Sequence, residues 1–336
     1  MHFRIAALVV LVVPLAARAA GRADAPLPAH LWDTGLFADP DGTRLAPDVL
    51  AYSPQYPLWS DGATKRRWIR LPPGTAIDAR DPDAWVFPVG TRLWKEFTLG
   101  RRVETRMLER TRRGWRYATY VWSEDGKDAV LAPEDGIPAV AAAGTSWTVP
   151  GEADCRACHE GQKTPVLGFT ALQLSPDRDP GAVHADAPGV ELDTLVARGL
   201  LSRAPPSLLT APPRIAARSP DERAAMGYLH ANCGICHNAQ GPLASLGMDL
   251  LYRPSEGAAS ADRIRASLLD ARAQRALGSS ELRIDSGSPE HSLLVQRMRS
   301  RDAFTQMPPL GTRTSDREAL TLVERWIQNT SPRSTP

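Results

Sequence analysis

The sequence predicts an α+β protein, in which a β-rich antiparallel N-terminal domain precedes an all-α domain. Short runs rich in Trp, Tyr, Val and Thr, separated by turns that contain Gly or Pro, fill much of the first half of the chain. Capped segments with helical periodicity fill much of the second half. The chain has 336 residues. One hydrophobic core usually organises no more than roughly 250–300 residues, so two domains are expected.

Residues 1–20 have the features of a secretory signal peptide. Arg4 supplies a basic start, the run from Ile5 to Ala17 is apolar, and the small residues that end the segment form an Ala-x-Ala cleavage site. The apolar run is shorter than the ~20 residues of a membrane-spanning helix, which favours cleavage over an uncleaved anchor. We therefore expect a periplasmic protein with no membrane span after cleavage. The net charge of +2 gives no support for nucleic-acid binding.

The β-rich domain is expected at residues 55–175, after an extended lead-in at 21–54. Apolar pairs within the lead-in could anchor it to the domain. Strands are predicted at 65–71, 91–99, 102–110 and 115–122. All but one of the nine tryptophans precede position 150, so we expect an aromatic core. The tryptophans could serve ordinary sheet packing or could form the wall of a cofactor site, and the sequence leaves both open.

A proline-rich linker is expected at 176–218, interrupted by one short helix at 191–201. The second domain, at 219–330, begins with a helix start. Ser219 is a capping residue, and the proline and glutamate that follow occupy the positions favoured at the first and third helical residues.

Two further helices are expected in the second domain. One begins at Ser288 and ends near Arg299, and the other begins at Ser315. The last helix carries an apolar stripe made of Ala319, Leu320, Leu322, Val323, Trp326 and Ile327.

The four cysteines of the chain all belong to two copies of a Cys-x-x-Cys-His motif. The copies are Cys155, Cys158 and His159, and Cys233, Cys236 and His237. Two thiols at this spacing, followed at once by a histidine, are the attachment signature of a c-type haem. Each thiol adds to one vinyl group, and the histidine then lies beneath the iron as the proximal ligand. We expect two covalently bound haem c groups.

A redox dithiol or half of a zinc site are the alternative interpretations of each cysteine pair. Zinc modules usually keep their cysteine pairs roughly 12–20 residues apart. Cys158 and Cys233 lie much further apart in the sequence. Neither zinc binding nor thiol exchange requires a histidine directly after the second cysteine, so the haem interpretation is favoured.

The region from 219 to 330 resembles class I cytochrome c. A helix leads into the second motif, a Met-Pro pair follows late in a loop, and the last helix carries a large aromatic residue, Trp326. The resemblance implies that the first and last helices cross and that the Met-Pro loop covers the other haem face. The spacing between His237 and Met307 is longer than in compact members, so we expect an insertion at about 250–285.

Met307 is the predicted sixth ligand of the second haem. A thioether is a soft, neutral donor that favours ferrous iron, so a pair formed by His237 and Met307 should raise the reduction potential. Two prolines follow Met307 and would hold its loop stiff. Met248 and Met298 are the competitors, but Met298 lies inside a predicted helix and Met248 follows closely after His237.

Most of the mature chain resembles a family of exported bacterial di-haem proteins, in which a β-rich region precedes the first motif and a cytochrome c domain carries the second. The likeness lies around both motifs and in the strands near 87–105. The first region is also similar to β-sheet cytochromes of the c′-beta type. That similarity implies that Lys95 approaches the first haem and that its distal side is open. The alternative is an exposed lysine paired with a carboxylate.

His230 is the other candidate for the distal side of the first haem. It lies three residues before Cys233, on the same face of the predicted helix. The alternative is a surface histidine or a contact to a haem propionate.

The sequence leaves two functions open. The leading hypothesis is an electron carrier that passes single electrons between periplasmic redox proteins. A carrier requires no substrate pocket and no catalytic acid or base, and the sequence shows no motif for either. The alternative is a haem enzyme of the peroxidase or small nitrogen-species oxidase type. In that case the first iron would be open and the second haem would serve as an electron relay.

Overall fold

The computed structural model describes residues 24–39 and 42–332. The predicted signal peptide and its cleavage site lie outside the described residues. The β-strands are β1 (Leu50–Tyr52), β2 (Thr64–Arg70), β3 (Ile77–Asp78), β4 (Arg92–Leu99), β5 (Arg101–Arg110), β6 (Trp115–Trp122), β7 (Ala129–Leu131), β8 (Ile137–Ala142), β9 (Thr145–Val149), β10 (Leu201–Ser202), β11 (Arg272–Leu277) and β12 (Ser280–Leu282). The α-helices are α1 (Glu152–His159), α2 (Leu192–Ala197), α3 (Ser207–Thr210), α4 (Pro220–Asn232), α5 (Ala258–Leu268), α6 (Leu293–Arg299) and α7 (Arg317–Gln328). Among these described helices, none combines the length and apolar character of a membrane span.

The main sheet is antiparallel, with the strand order β1-β2-β4-β5-β6-β7. The four strands predicted from the sequence are confirmed as β2, β4, β5 and β6, and their ends agree to within about a residue. Gly100 connects β4 to β5 with a φ of 70°, a conformation that glycine adopts without steric penalty. The β-rich antiparallel character of the first region is therefore confirmed.

One face of the sheet buries a layer of aromatic side chains. Trp68 lies opposite Trp94, and Trp94 lies opposite Met107, and each is at most 3% exposed. Leu31 and Leu36 of the lead-in pack in the same cluster, so apolar residues do anchor this segment. Trp68 and Trp94 both contribute to sheet packing, and Trp94 also lines the large cavity described below. The structure therefore excludes neither of the two possibilities that the sequence left open.

The segment expected to be a linker packs in part against the sheet region. Leu192 and Leu195 of α2 are buried in one cluster with Ile77 and Phe169. β10 pairs with β3 in parallel, so that Leu201 lies opposite Ile77. The leucines between the prolines have apolar partners, and they hold this segment on the domain that precedes it.

α4 begins where the sequence predicts. The Ser219 hydroxyl accepts a hydrogen bond from the backbone N–H of Glu222 at 3.1 Å, and Pro220 occupies the first helical position. α4 packs against α7, whose predicted apolar stripe is buried. α7 is capped by Asp316, which accepts from the N–H of Ala319 at 3.0 Å.

The region after the second motif differs from the prediction in two places. The helix expected from Ser288 begins as a 3-10 turn at Pro289–His291, and α6 starts only at Leu293. The expected insertion contains α5 and a hairpin formed by β11 and β12. Because of this hairpin, the prediction of an all-α second domain is not confirmed. The fold is mixed, with a β-rich sheet region and a more helical second part.

The sheet region and α4 share a core. Tyr56 packs against Gly227 so closely that any larger side chain at Gly227 would collide with the tyrosine ring. Asn232, the last residue of α4, accepts a hydrogen bond from the N–H of Trp59 at 2.8 Å and donates one to the carbonyl of Pro57 at 3.3 Å. These contacts hold the end of α4, and with it the second motif, against the sheet region.

Candidate functional site

Both Cys-x-x-Cys-His motifs line a single cavity of about 1370 Å³. Ordinary small-molecule pockets have roughly 300–1,000 Å³, so this cavity has room for more than one large planar group. Its walls are mostly apolar, with contributions from the sheet, from the end of α4 and from the loop before α7. The motif residues on the wall are Cys155, Cys158, His159, Cys233, Cys236 and His237.

α1 carries the first motif, so its thiols and its histidine lie on one helical face. The Nδ1 atom of His159 lies 2.6 Å from the carbonyl oxygen of Pro165, to which it can donate. This tautomer leaves a lone pair on Nε2, as an iron-bound histidine requires. Burial lowers the pKa of His159 to about 4, so the ring is neutral at pH 7. The geometry of His159 therefore fits a proximal haem ligand.

The second motif forms a turn directly after α4. The backbone N–H groups of Cys236 and His237 both donate to the carbonyl of Cys233, at 3.1 and 2.9 Å. Burial lowers the pKa of His237 to about 4. Its Nδ1 atom is buried and has no hydrogen-bond partner among the described residues. The two histidines therefore differ, because a carbonyl orients His159 and no corresponding group orients His237.

The cysteines have the properties of buried thiols. None of the four forms a disulfide. Burial raises the pKa of Cys155 to about 11 and that of Cys233 to about 12. A redox-active cysteine pair has the opposite property, since its attacking thiol has a lowered pKa. The environment of the thiols thus counts against a thiol-exchange centre.

The two attachment segments touch each other. The side-chain amide of Asn238 donates to the carbonyl of Gly161 at 3.3 Å. Gly161 also approaches Ile235, so that an added Cβ would lie 2.8 Å from the Ile235 carbonyl oxygen. Burial raises the pKa of Cys236, and Cys158 raises it further. The chain therefore brings the two motifs side by side, although they are far apart in sequence.

Met307 lies on the cavity wall, and so does Met248. Met298 is only 5% exposed and belongs to the helical core instead. The backbone of the Met307 loop is fixed on both sides. Its N–H donates to the carbonyl of Arg297 at 2.9 Å, and its carbonyl accepts from Arg301 at 3.4 Å. Of the three methionines considered from the sequence, the structure leaves Met307 and Met248 next to the cavity.

His230 borders the cavity but is poorly oriented to bind iron. Its Nδ1 atom accepts a hydrogen bond from the backbone N–H of Tyr252 at 3.1 Å. A neutral ring that accepts at Nδ1 carries its proton on Nε2, which then has no lone pair to offer. Burial lowers the pKa of His230 to about 4. This histidine is better suited to donate a hydrogen bond into the cavity than to bind a metal.

His184 interacts with the cap of α7 rather than with the cavity. Its Nε2 atom lies 2.9 Å from both carboxylate oxygens of Asp316, and this hydrogen bond raises the pKa of His184. A histidine whose pKa is higher in the folded protein than in the unfolded chain stabilises the fold when it is protonated. This stabilisation is complete below the pKa of the unfolded chain, roughly 6.5, and is lost as pH rises through the pKa of the folded protein.

We expect the urea midpoint of the protein to fall as pH rises from about 6 through the raised pKa, and His184→Gln to remove this part of the pH dependence. His291→Gln serves as the control, because His291 is 63% exposed. Equal pH dependence in wild type and His184→Gln would contradict the role assigned to this contact.

A row of cations crosses the sheet on the cavity side. Lys95 of β4 lies directly opposite Arg67 of β2 and directly opposite Arg106 of β5. Directly paired residues point to the same face, and all three line the cavity. The sequence singled out Lys95 but not Arg67 or Arg106. The alternation of side chains along each strand could be read from the sequence. The register between the strands, which aligns the three cations, could not.

The row lies within electrostatic reach of the first motif. Burial has the largest effect and lowers the pKa of His159, whereas the hydrogen bond to Pro165 raises it. The nearby Lys95 and Arg106 lower this pKa as well. Burial, followed by neighbouring cations, holds the pKa of Lys95 well below its usual range. Its ammonium lies 4.7 Å from the ring centre of Phe97. Lys95 is therefore a cavity residue and not an exposed lysine paired with a carboxylate.

Comparisons with known proteins give no relative for this chain. No family model, curated protein or solved structure matches it. The described residues contain no group of three or more His, Cys, Asp or Glu side chains arranged to hold a metal ion.

Proposed function

We propose that this protein is a di-haem c-type cytochrome that transfers single electrons between periplasmic redox proteins. One observation carries the proposal: both Cys-x-x-Cys-His motifs line the same large, mostly apolar cavity. Two motifs of this kind in unrelated surface positions would be far weaker support. The signal-peptide features of residues 1–20 support the periplasmic part of the proposal.

The residues of this chain have distinct roles in the proposal. Cys155 and Cys158 would hold one haem, and the second cysteine pair would hold the other, each through two thioether bonds. Bound haem supplies one-electron redox chemistry, which the protein tunes through ligands and surroundings. His159 offers Nε2 as a ligand because its Nδ1–H is directed to Pro165. His237 would be the corresponding ligand in the second motif.

The second part of the chain supports a cytochrome c-like arrangement around the second haem. α4 leads into Cys233, α4 and α7 pack together, and the Met307 loop borders the cavity. We propose Met307 as the sixth ligand there. The apolar walls would limit water at both sites, and the contact between Gly161 and Asn238 would keep the attachment segments adjacent. Adjacent redox groups suit a protein that passes electrons internally.

The cationic row favours a second candidate function. Lys95, Arg67 and Arg106 place three basic side chains on the cavity wall near the first motif. Such a wall would suit a haem enzyme that admits a small substrate at the first iron, with the second haem as its electron relay. The two candidates differ in the sixth ligand of the first haem.

Optical and EPR spectra of the purified, exported protein test the proposal. We expect two c-type haems in low-spin form, with no change on addition of cyanide or carbon monoxide. A high-spin ferric component that binds cyanide would favour the enzyme over the carrier. A colourless protein whose mass equals that of the bare polypeptide would exclude both.

A further inference from the structure

The Arg67, Lys95 and Arg106 row is not charge-balanced by the described residues around it. Arg106 pairs with Glu104 at 2.5 Å. Among the described residues, no ion pair or side-chain hydrogen bond is formed by Arg67 or by Lys95. Asp186 acts on Arg67 electrostatically, without a contact of ion-pair length. One carboxylate in contact thus faces three basic side chains.

Keeping all three side chains charged in this arrangement costs free energy unless an anion joins them. Like charges directly opposite on neighbouring strands destabilise a sheet. Arg67 is only 5% exposed, so water compensates its charge poorly. Ordinary sheet packing does not explain the row, since apolar side chains at these positions would cover the cavity wall without that cost.

The donors of the row match a specific ligand chemistry. A guanidinium group presents parallel N–H donors that fit a carboxylate or an oxyanion. Tyr52 lies opposite Arg67 on β1 and also lines the cavity. Burial raises the pKa of Tyr52 to about 12, so its hydroxyl keeps its proton and can donate. The row therefore offers several donors, and Glu104 supplies the carboxylate next to Arg106.

We propose that Arg67, Lys95 and Arg106 form an anion-binding site in the cavity beside the first attachment motif, which takes a carboxylate or a small oxyanion. The anion can come from two sources. It is either a propionate of the first haem or a diffusible anion that enters the cavity. Only the propionate source rests on the proposed function.

Anion titration tests the diffusible source. Holoprotein is titrated with nitrite and with formate, and binding is followed by calorimetry and by the haem spectrum. For a diffusible anion, we expect saturable binding that weakens roughly tenfold or more in Arg67→Met and in Lys95→Met, because each loses a charge-assisted contact. Lys127→Met is the control, since this 83% exposed lysine carries the same charge outside the cavity.

Redox titration tests the propionate source. In that case wild type binds neither probe, and the reduction potential of one haem falls in both row variants. The potential falls because the propionate loses a cation and its negative charge then stabilises oxidised iron. Propionate bands in the resonance Raman spectrum should shift in the same variants. Lys95→Arg retains the charge and should restore the wild-type potential, and Lys127→Met should not change it.

The proposal is overturned if neither row variant differs from Lys127→Met in anion affinity or in reduction potential. Circular dichroism first establishes that each variant is folded. If Arg67→Met does not fold, the test is made with Lys95→Met alone. Haem content separates this failure from that of the proposed function. If the protein bound two haems but the Arg67 and Lys95 variants behaved like Lys127→Met, the anion site alone would be disproved. A haem-free protein that still binds nitrite through the row would support the site while excluding a cytochrome.

Discussion

Serine at both cysteines of one motif is expected to leave a protein with one covalent haem instead of two. Each thioether requires a thiol, and the motifs use all four cysteines of the chain, so no other thiol can replace a lost pair. Serine keeps the side chain close to cysteine in size but cannot form the thioether bond. The measurement is the intact mass of the denatured, exported protein, together with haem staining of the separated polypeptide.

The two double variants serve as controls for each other. The Cys155→Ser, Cys158→Ser protein should retain the haem of the second motif, and the Cys233→Ser, Cys236→Ser protein should retain that of the first. A variant that still carried two covalent haems would disprove the motif assignment. Loss of both haems from both variants would mean that the motifs depend on each other. The direct contact between the attachment segments makes that dependence physically reasonable.

Local features of this fold could be read from the sequence. The cap of α4 and the apolar stripe of α7 depend on residues within one or two turns, and both are present as predicted. The strands with Trp, Val and Thr alternation were also recognised, because their side chains repeat every two residues. The motif residues were found for the same reason, since the spacing of a Cys-x-x-Cys-His motif is entirely local.

Features that depend on distant partners could not be read in this way. The prolines at 176–218 indicated a linker, but Leu192 and Leu195 pack on the sheet region. The β11–β12 hairpin has short strands with Arg and Gln and little β-propensity, so nothing in its composition separated it from a loop. The cationic row needed the register of three strands, because a shift by one residue would turn Lys95 to the other face.

The shared cavity is the largest feature that the sequence did not provide. The two motifs predicted two haem sites, but not that both would border one space. That outcome depends on α1 and on the turn after α4, which meet at Gly161 and Ile235. A glycine at 161 carried no special signal in the sequence, because its role depends on a neighbour more than seventy residues away.

Met307→Ala is expected to keep both haems but to lower the reduction potential of the second. A thioether favours ferrous iron, and its loss leaves the position to water or to a harder donor. Axial ligands set haem potentials over a range of ≈ 0.8 V, so we expect a fall on the order of 0.1 V or more. The measurement is a spectroscopic redox titration of both haems. Loss of the sulfur–iron absorption band would accompany the change.

Met248→Ala is the matched control for this prediction. Both methionines line the cavity and both are partly buried, so the two variants remove the same volume of side chain from the same wall. A general effect of the lost volume would change both proteins alike, whereas loss of an iron ligand would change only one. If the potential fell in Met248→Ala and not in Met307→Ala, Met248 would be the ligand. If it fell in neither, neither of these two methionines would be the ligand of the second iron, and its potential would have to be set by another donor.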